Sequence, residues 1–201
     1  MSQRLAITLV AVGVVGLCAV AIINMLTDRE LRPFRADLPI AAKQFTSPPI
    51  TLEAGYHYRL AVGGDGSIPY AGCLLGAGDD PLAGGCKRHP SALDVAWSLR
   101  NDRGNVVASG ISPGDQSMFG YGEYVEADLG YFRVFTSTAV RLTWQYRRDP
   151  APLAPLRPYV VIDAPDALES FDISVTLGGM LFATLACVGG GMLLVSRWRR
   201  D

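Results

Sequence analysis

The chain has 201 residues and a formal net charge of −1, so it lacks the concentrated basic face that nucleic-acid binding requires. Sixteen of its 18 cations are arginines, and they are scattered, which reads as a compositional bias rather than a binding patch. Between two apolar ends lies a middle of about 145 residues, enough for one domain with its own core.

After a short N-terminus, 1–4, comes an uncharged run from Leu5 to Thr27. As a helix, those residues span about 34 Å, against a hydrocarbon layer of about 30 Å. In lipid every backbone amide must be bonded within its own segment, so the spacing predicts a transmembrane helix over 5–27. Ala19-Val20-Ala21 looks like a signal-peptidase site, but the apolar run continues through Ile22, Ile23, Met25 and Leu26. That is longer than the usual h-region of about 7–15 residues and favours an uncleaved anchor. Val15-Gly16-Leu17-Cys18 is a poor lipoprotein signal, because bulky Leu17 precedes the cysteine.

Residues 28–172 read as an all-β domain on the far side of the membrane. Segments with strand character fall at 56–62, 93–99, 105–108, 124–128, 131–135, 140–146 and 159–163, separated by Gly- and Pro-containing turns. Leu93, Val95, Trp97 and Leu99 alternate onto one face, and Asn101-Asp102-Arg103-Gly104 is a strong turn signal. So many short strands predict a two-sheet sandwich of jelly-roll or immunoglobulin-like kind, its first and last strands meeting on the membrane side. Trp97 and Trp144 are expected in its core.

Two stretches break this pattern. Gly63 to Pro90 is a long glycine-rich insertion holding Cys73 and Cys86, and outside the cytoplasm such a pair reads as a disulfide. Zinc on Cys73, Cys86, His89 and His57 is the weaker alternative, because paired C-x-x-C spacing is lacking. Calcium on Asp65, Asp79 and Asp80 has no EF-hand spacing behind it. Gly76-Ala77-Gly78 lacks the third glycine and the lysine of a phosphate loop. No cofactor is expected. The second stretch, 119–135, interleaves aromatics with carboxylates; Phe119, Tyr121, Glu123, Tyr124, Glu126 and Asp128 form a candidate binding surface for a protein partner or a cell-envelope glycan.

Catalytic motifs are thin. Gly110-Ile111-Ser112-Pro113-Gly114 matches G-x-S-x-G, but Pro113 and Gly114 would stop the following helix, and His57 and His89 both lie upstream. On a strand, Glu126 and Asp128 would share a face, the one carboxylate pair that a cell-envelope hydrolase would use.

The final segment predicts a second transmembrane helix over 173–196 and a cytoplasmic C-terminus, 197–201. Arg197, Arg199 and Arg200 close this run, whereas Asp163, Asp166, Glu169 and Asp172 precede it. Basic residues favour the cytoplasm, which places both termini inside and the domain in the periplasm or outside the cell. Gly179, Ala183, Cys187 and Gly191 recur every four residues, a helix-packing face directed at the first helix through Gly13 and Gly16 or at another subunit. Taken together, the residues lead to the expectation of a non-enzymatic, two-pass envelope protein of the plasma membrane, embedded in the lipid bilayer and holding a membrane or envelope protein partner.

Overall fold

The computed structural model describes residues 3–76, 86, 91–112, 118–121 and 123–198. It divides into a helical unit, Met1–Leu31 with Asp166–Asp201, and a β-rich unit, Arg32–Pro165.

The helical unit contains α1 (Gln3–Leu31) and most of α3 (Pro165–Trp198). Both are long and apolar enough to cross a membrane, over Arg4–Thr27 and Pro165–Val195. α3 starts on Pro165, whose missing N–H would have no partner in a first turn anyway, and Asp166 lies at the positive end of the helix dipole. The two helices meet closely at small residues. A Cβ on Gly13 would lie 2.7 Å from the backbone nitrogen of Ala186, and one on Gly16 would collide with the ring of Phe182. Gly189 lies equally close to the Ala6 carbonyl and Leu9. Among the described residues, α1 offers no atom within 4 Å of where a Cβ on Gly179 or Gly191 would stand, and Cys187 is exposed. The first helix is therefore met through Phe182, Ala186 and Gly189, not through those members of the stripe.

The β-rich unit consists of two antiparallel sheets. β1 (Phe34–Asp37), β4 (His57–Asp65), β7 (Met118–Tyr121), β8 (Tyr124–Arg133) and β10 (Tyr159–Asp163) form one, in the order β1-β10-β4-β8-β7. β2 (Gln44–Thr46), β5 (Val95–Asn101), β6 (Val106–Ser112) and β9 (Thr138–Tyr146) form the other, in the order β2-β9-β5-β6, with β3 (Ile50–Leu52) also paired to β9. The first strand pairs with the last, Phe34 opposite Ile162.

Burial follows the period of two expected of strands with one core face. Tyr58, Leu60 and Val62 of β4, Val95, Trp97 and Leu99 of β5, and Leu142, Trp144 and Tyr146 of β9 are all buried. Trp97 and Trp144 are register partners, and both are buried as expected. Trp97 also reaches the other sheet, where a Cβ on Gly130 would lie 3.0 Å from its ring. Burial pushes the Tyr146 phenol up to about 12.

Between β2 and β3 the Pro48-Pro49 pair removes two ladder donors. Buried Ser47 carries the pairing across the break: its N–H donates to the Leu142 carbonyl, and its hydroxyl accepts from the Leu142 N–H at 2.9 Å. The glycine-rich insertion contains a short helix, α2 (Ala71–Leu75), whose Leu74 carbonyl accepts from the Ala92 and Leu93 N–H groups. Cys73 and Cys86 form a disulfide with a Cα–Cα distance of 5.3 Å, so these thiols are not zinc ligands. Asp79, Asp80 and His89 lie outside the described residues.

Candidate functional site

Sheet alternation puts Arg59, Ala61 and Gly63 of β4 on the face away from the Tyr58-Leu60-Val62 core. On one side they pair with Asp163, Val161 and Tyr159 of β10; on the other, with Tyr131, Asp128 and Glu126 of β8. An ordinary strand would turn Asp128 and Tyr131 to opposite faces. Here the register shifts between Leu60 and Ala61, and Leu129 is the extra residue of a β-bulge. The bulge brings Asp128 and Tyr131 to the same face and turns Gly130 inward beneath Trp97.

Arg59 is the hub of the resulting cluster. Its Nε and Nη2 grip Asp163 in a two-pronged bond, at 3.0 Å to Oδ1 and 2.7 Å to Oδ2. Nη2 also donates to Glu126 Oε2 at 2.8 Å, and Nη1 donates to Asp128 Oδ1 at 3.2 Å. The remaining oxygens take phenol donors: Tyr159 to Glu126 Oε1 at 2.9 Å, and Tyr131 to Asp128 Oδ2 at 2.7 Å. All six carboxylate oxygens thus have a donor, and the four charged side chains are only 8–14% exposed.

The floor of the cluster is apolar, formed by buried Ala61, Tyr159 and Val161. The Tyr159 ring lies across Gly63, where any Cβ would collide with it, and the Arg35 guanidinium stacks on that ring at 3.9 Å. A cross-strand glycine–aromatic pair of this kind uses the missing side chain as a seat for the ring.

Three carboxylates oppose one guanidinium. Burial alone would lower the Arg59 pKa, but its bond to Asp163 and the charges of Asp163, Glu126 and Asp128 outweigh burial and raise it. The Tyr131 and Tyr159 phenols are both pushed up to about 12, first by burial and then by their bonds to Asp128 and Glu126. Farther along this face, Asp65 lies below the usual carboxylate range, because the Ser67 hydroxyl and N–H both donate to it.

Comparison with known protein families, curated proteins and solved structures returns no match. The site therefore rests on its own geometry.

Of the candidate surface residues, Glu126 and Asp128 come together on one face of β8, as strand alternation requires. Tyr124 lies farther along β8 opposite Asp65 and is exposed, while Glu123 is exposed in the preceding turn. Phe119 and Tyr121 belong to β7, opposite Glu126 and Tyr124; their side chains lie outside the described residues. Arg59, Asp163, Tyr131, Tyr159 and Arg35 were not singled out from the sequence as members of a site. Arg59 carried a usable signal, a lone charge inside the apolar strand 58–62, and Asp163 carried another at the end of 159–162.

Proposed function

We propose that this chain is a two-pass membrane protein whose exported β-sandwich binds or positions a partner protein without catalysing a reaction. One observation carries the non-catalytic half of this reading: every carboxylate oxygen of Glu126, Asp128 and Asp163 is already engaged by Arg59, Tyr131 or Tyr159. Glycoside hydrolysis needs two carboxyl groups facing each other across a cleft about 5–10 Å wide. Glu126 and Asp128 instead share one strand and one guanidinium, which counts against the hydrolase alternative.

The two apolar helices at the ends of the chain support anchoring, and the Cys73–Cys86 bond supports an oxidising compartment for the domain. With the arginines at the end of α3, this favours a domain in the periplasm or outside the cell and both termini in the cytoplasm.

The strand order favours a jelly roll. Taking β2 with β3 as one broken strand, and setting aside β7 as an edge strand added to β8 by a hairpin, first pairs with last, second with seventh, third with sixth and fourth with fifth. Folding one long antiparallel hairpin over on itself produces that order. An immunoglobulin-like sandwich lays its first strand beside its second instead.

Cysteine labelling on intact cells tests the anchoring. A membrane-impermeant maleimide should reach Asp102→Cys and miss Asp201→Cys; the reverse pattern overturns the topology. Photo-cross-linking from Tyr124 in membranes tests the partner and should yield a discrete protein adduct. A second reading, an anchored glycan-binding module, draws support from Tyr124 and Tyr131, two exposed rings on β8. Titration with soluble cell-wall glycan should then alter tyrosine fluorescence, and an unchanged spectrum removes that reading.

A further inference from the structure

We infer that the β8–β9 turn, led by Phe135 and Arg133, is a lipid-interface foot that seats the domain on the membrane surface; this rests on the anchored reading above. Register identifies the relevant end of the domain. Asp163, the last residue of β10, is level with Arg59, which is level with Tyr131. Two residues farther on, His57 is paired with Arg133, and Phe135 follows at the turn. Phe34, the first residue of β1, pairs with Ile162. Both chain connections, at Arg32 and Pro165, therefore leave from the end of the sheet that carries this turn.

The distance along the chain is short. The uncharged run of α1 ends at Thr27 and the β-rich unit begins at Arg32, while α3 begins at Pro165 and its uncharged run at Ile173. At 1.5 Å per residue, those helical stretches are about 6 Å and about 12 Å, against a headgroup layer of about 5–8 Å on each side of the hydrocarbon. The turn is thus held near the depth where aromatic rings and arginines are favoured.

Its composition and build suit that depth. Phe135 is 80% exposed and Tyr131 is 61% exposed, and the Arg133 guanidinium lies 5.5 Å from the centre of the Phe135 ring. A phenyl ring can enter the acyl boundary while the arginine stem lies along it and its head meets phosphate. The turn is also braced. Gly55 N–H donates to the Val134 carbonyl at 3.0 Å, Ala54 N–H donates to Ser137 Oγ at 3.0 Å, and that hydroxyl donates to Glu53 Oε2 at 2.6 Å. Val134 beneath is buried. Phe135 is therefore presented to solvent by a fixed loop.

The test uses the full chain with Cys18 and Cys187 changed to alanine, reconstituted in phosphatidylcholine–phosphatidylglycerol vesicles. An environment-sensitive fluorophore is placed at Phe135→Cys and, as control, at Glu123→Cys in the turn before β8, at the opposite end of that strand. Both positions are exposed, so a label at either displaces no buried side chain. The label at position 135 should emit blue-shifted light and be quenched more by headgroup nitroxide lipids than by nitroxides deep in the acyl chain; the label at 123 should emit as in water. If the protein floats with the vesicles but the two labels behave alike, the foot is overturned and the anchors stand. If the protein does not float with the vesicles, the anchored reading fails and the foot fails with it.

Discussion

Removing the guanidinium of Arg59 would leave Glu126, Asp128 and Asp163 facing one another without their shared counter-charge. Taking away one partner of a buried ion cluster strands the others, at a cost of roughly 3–5 kcal/mol. Arg59→Ala should therefore lose that much stability in chemical denaturation of the full chain in detergent. Arg59→Lys should lose less, because it keeps the charge while a single ammonium cannot reproduce the two-pronged grip on Asp163. If Arg59→Ala unfolds at the wild-type midpoint, the cluster is not holding β4, β8 and β10 together. The phenols give the same cluster a signature at high pH. Tyr131 and Tyr159 are raised to about 12 in the folded chain, whereas an unfolded tyrosine titrates near 10. Between those values the unfolded chain sheds protons that the folded chain keeps, so stability falls as pH rises. The contribution is intact below about pH 10 and is lost as pH approaches 12. Replacing both residues with phenylalanine should flatten the decline of the urea midpoint over this window, leaving a remainder from Tyr146, which burial raises likewise.

At the scale of elements, β9 shows how far side-chain alternation carries. Val140, Leu142, Trp144 and Tyr146 alternate in the sequence and are all buried in the structure. Trp144→Ala should cost roughly 3–5 kcal/mol, read as an earlier thermal transition, because it empties the largest fully buried side chain among the described residues. Unchanged melting would mean that the core does not close around β9. β4, β5 and β9 were legible because their apolar residues repeat every second position over five or more residues, β10 because 159–162 is a continuous apolar run, and β6 only in its first part, read as 105–108. β1, β2, β3 and β7 were not: they have three or four residues each, and Phe34-Arg35-Ala36-Asp37 carries two charges. Their pairing is dictated by longer neighbours, which no local pattern reveals. The sequence pattern also broke β8 into 124–128 and 131–135, with the gap at Leu129-Gly130. The structure has one strand there with a bulge at that place, so the interruption was real and its meaning was a change of face rather than a turn. The cluster stayed hidden for the same reason, because Tyr131 joins Asp128 only through the bulge. The insertion was legible at its cysteines alone. Its closure should contribute about 3 kcal/mol in the chain-entropy model, and Cys73→Ser/Cys86→Ser should show a loss of that order on denaturation.

For the whole molecule, the outstanding question is which face of α3 holds α1 and which remains for something else. Small residues occur on two faces about 100° apart, and repeat spacing alone could not choose between them. Close approach decides for α1, since Gly13 and Gly16 lie against Ala186 and Phe182. Helix association in lipid relies on such fit rather than on hydrophobicity, because the tails are already as apolar as leucine. Gly13→Leu adds bulk where a single Cβ would already lie 2.8 Å from the Phe182 carbonyl, so it should separate the helices without impairing insertion. The reporter is a cysteine pair at Val20 and Gly178, where a Cβ on Gly178 lies 3.6 Å from the Val20 side chain. With Cys18 and Cys187 changed to alanine, oxidation should cross-link that pair in the parent chain and fail to do so in Gly13→Leu. Ala183→Leu alters the stripe of Gly179 and Gly191, both of which stand clear of α1 among the described residues, and should leave the cross-link at the parent yield. Two outcomes reverse the assignment: a cross-link that survives Gly13→Leu, or one that Ala183→Leu abolishes. The first would mean that the Gly13 contacts with Phe182 and Ala186 are not what joins the pair, and the second that α1 packs on the four-residue stripe.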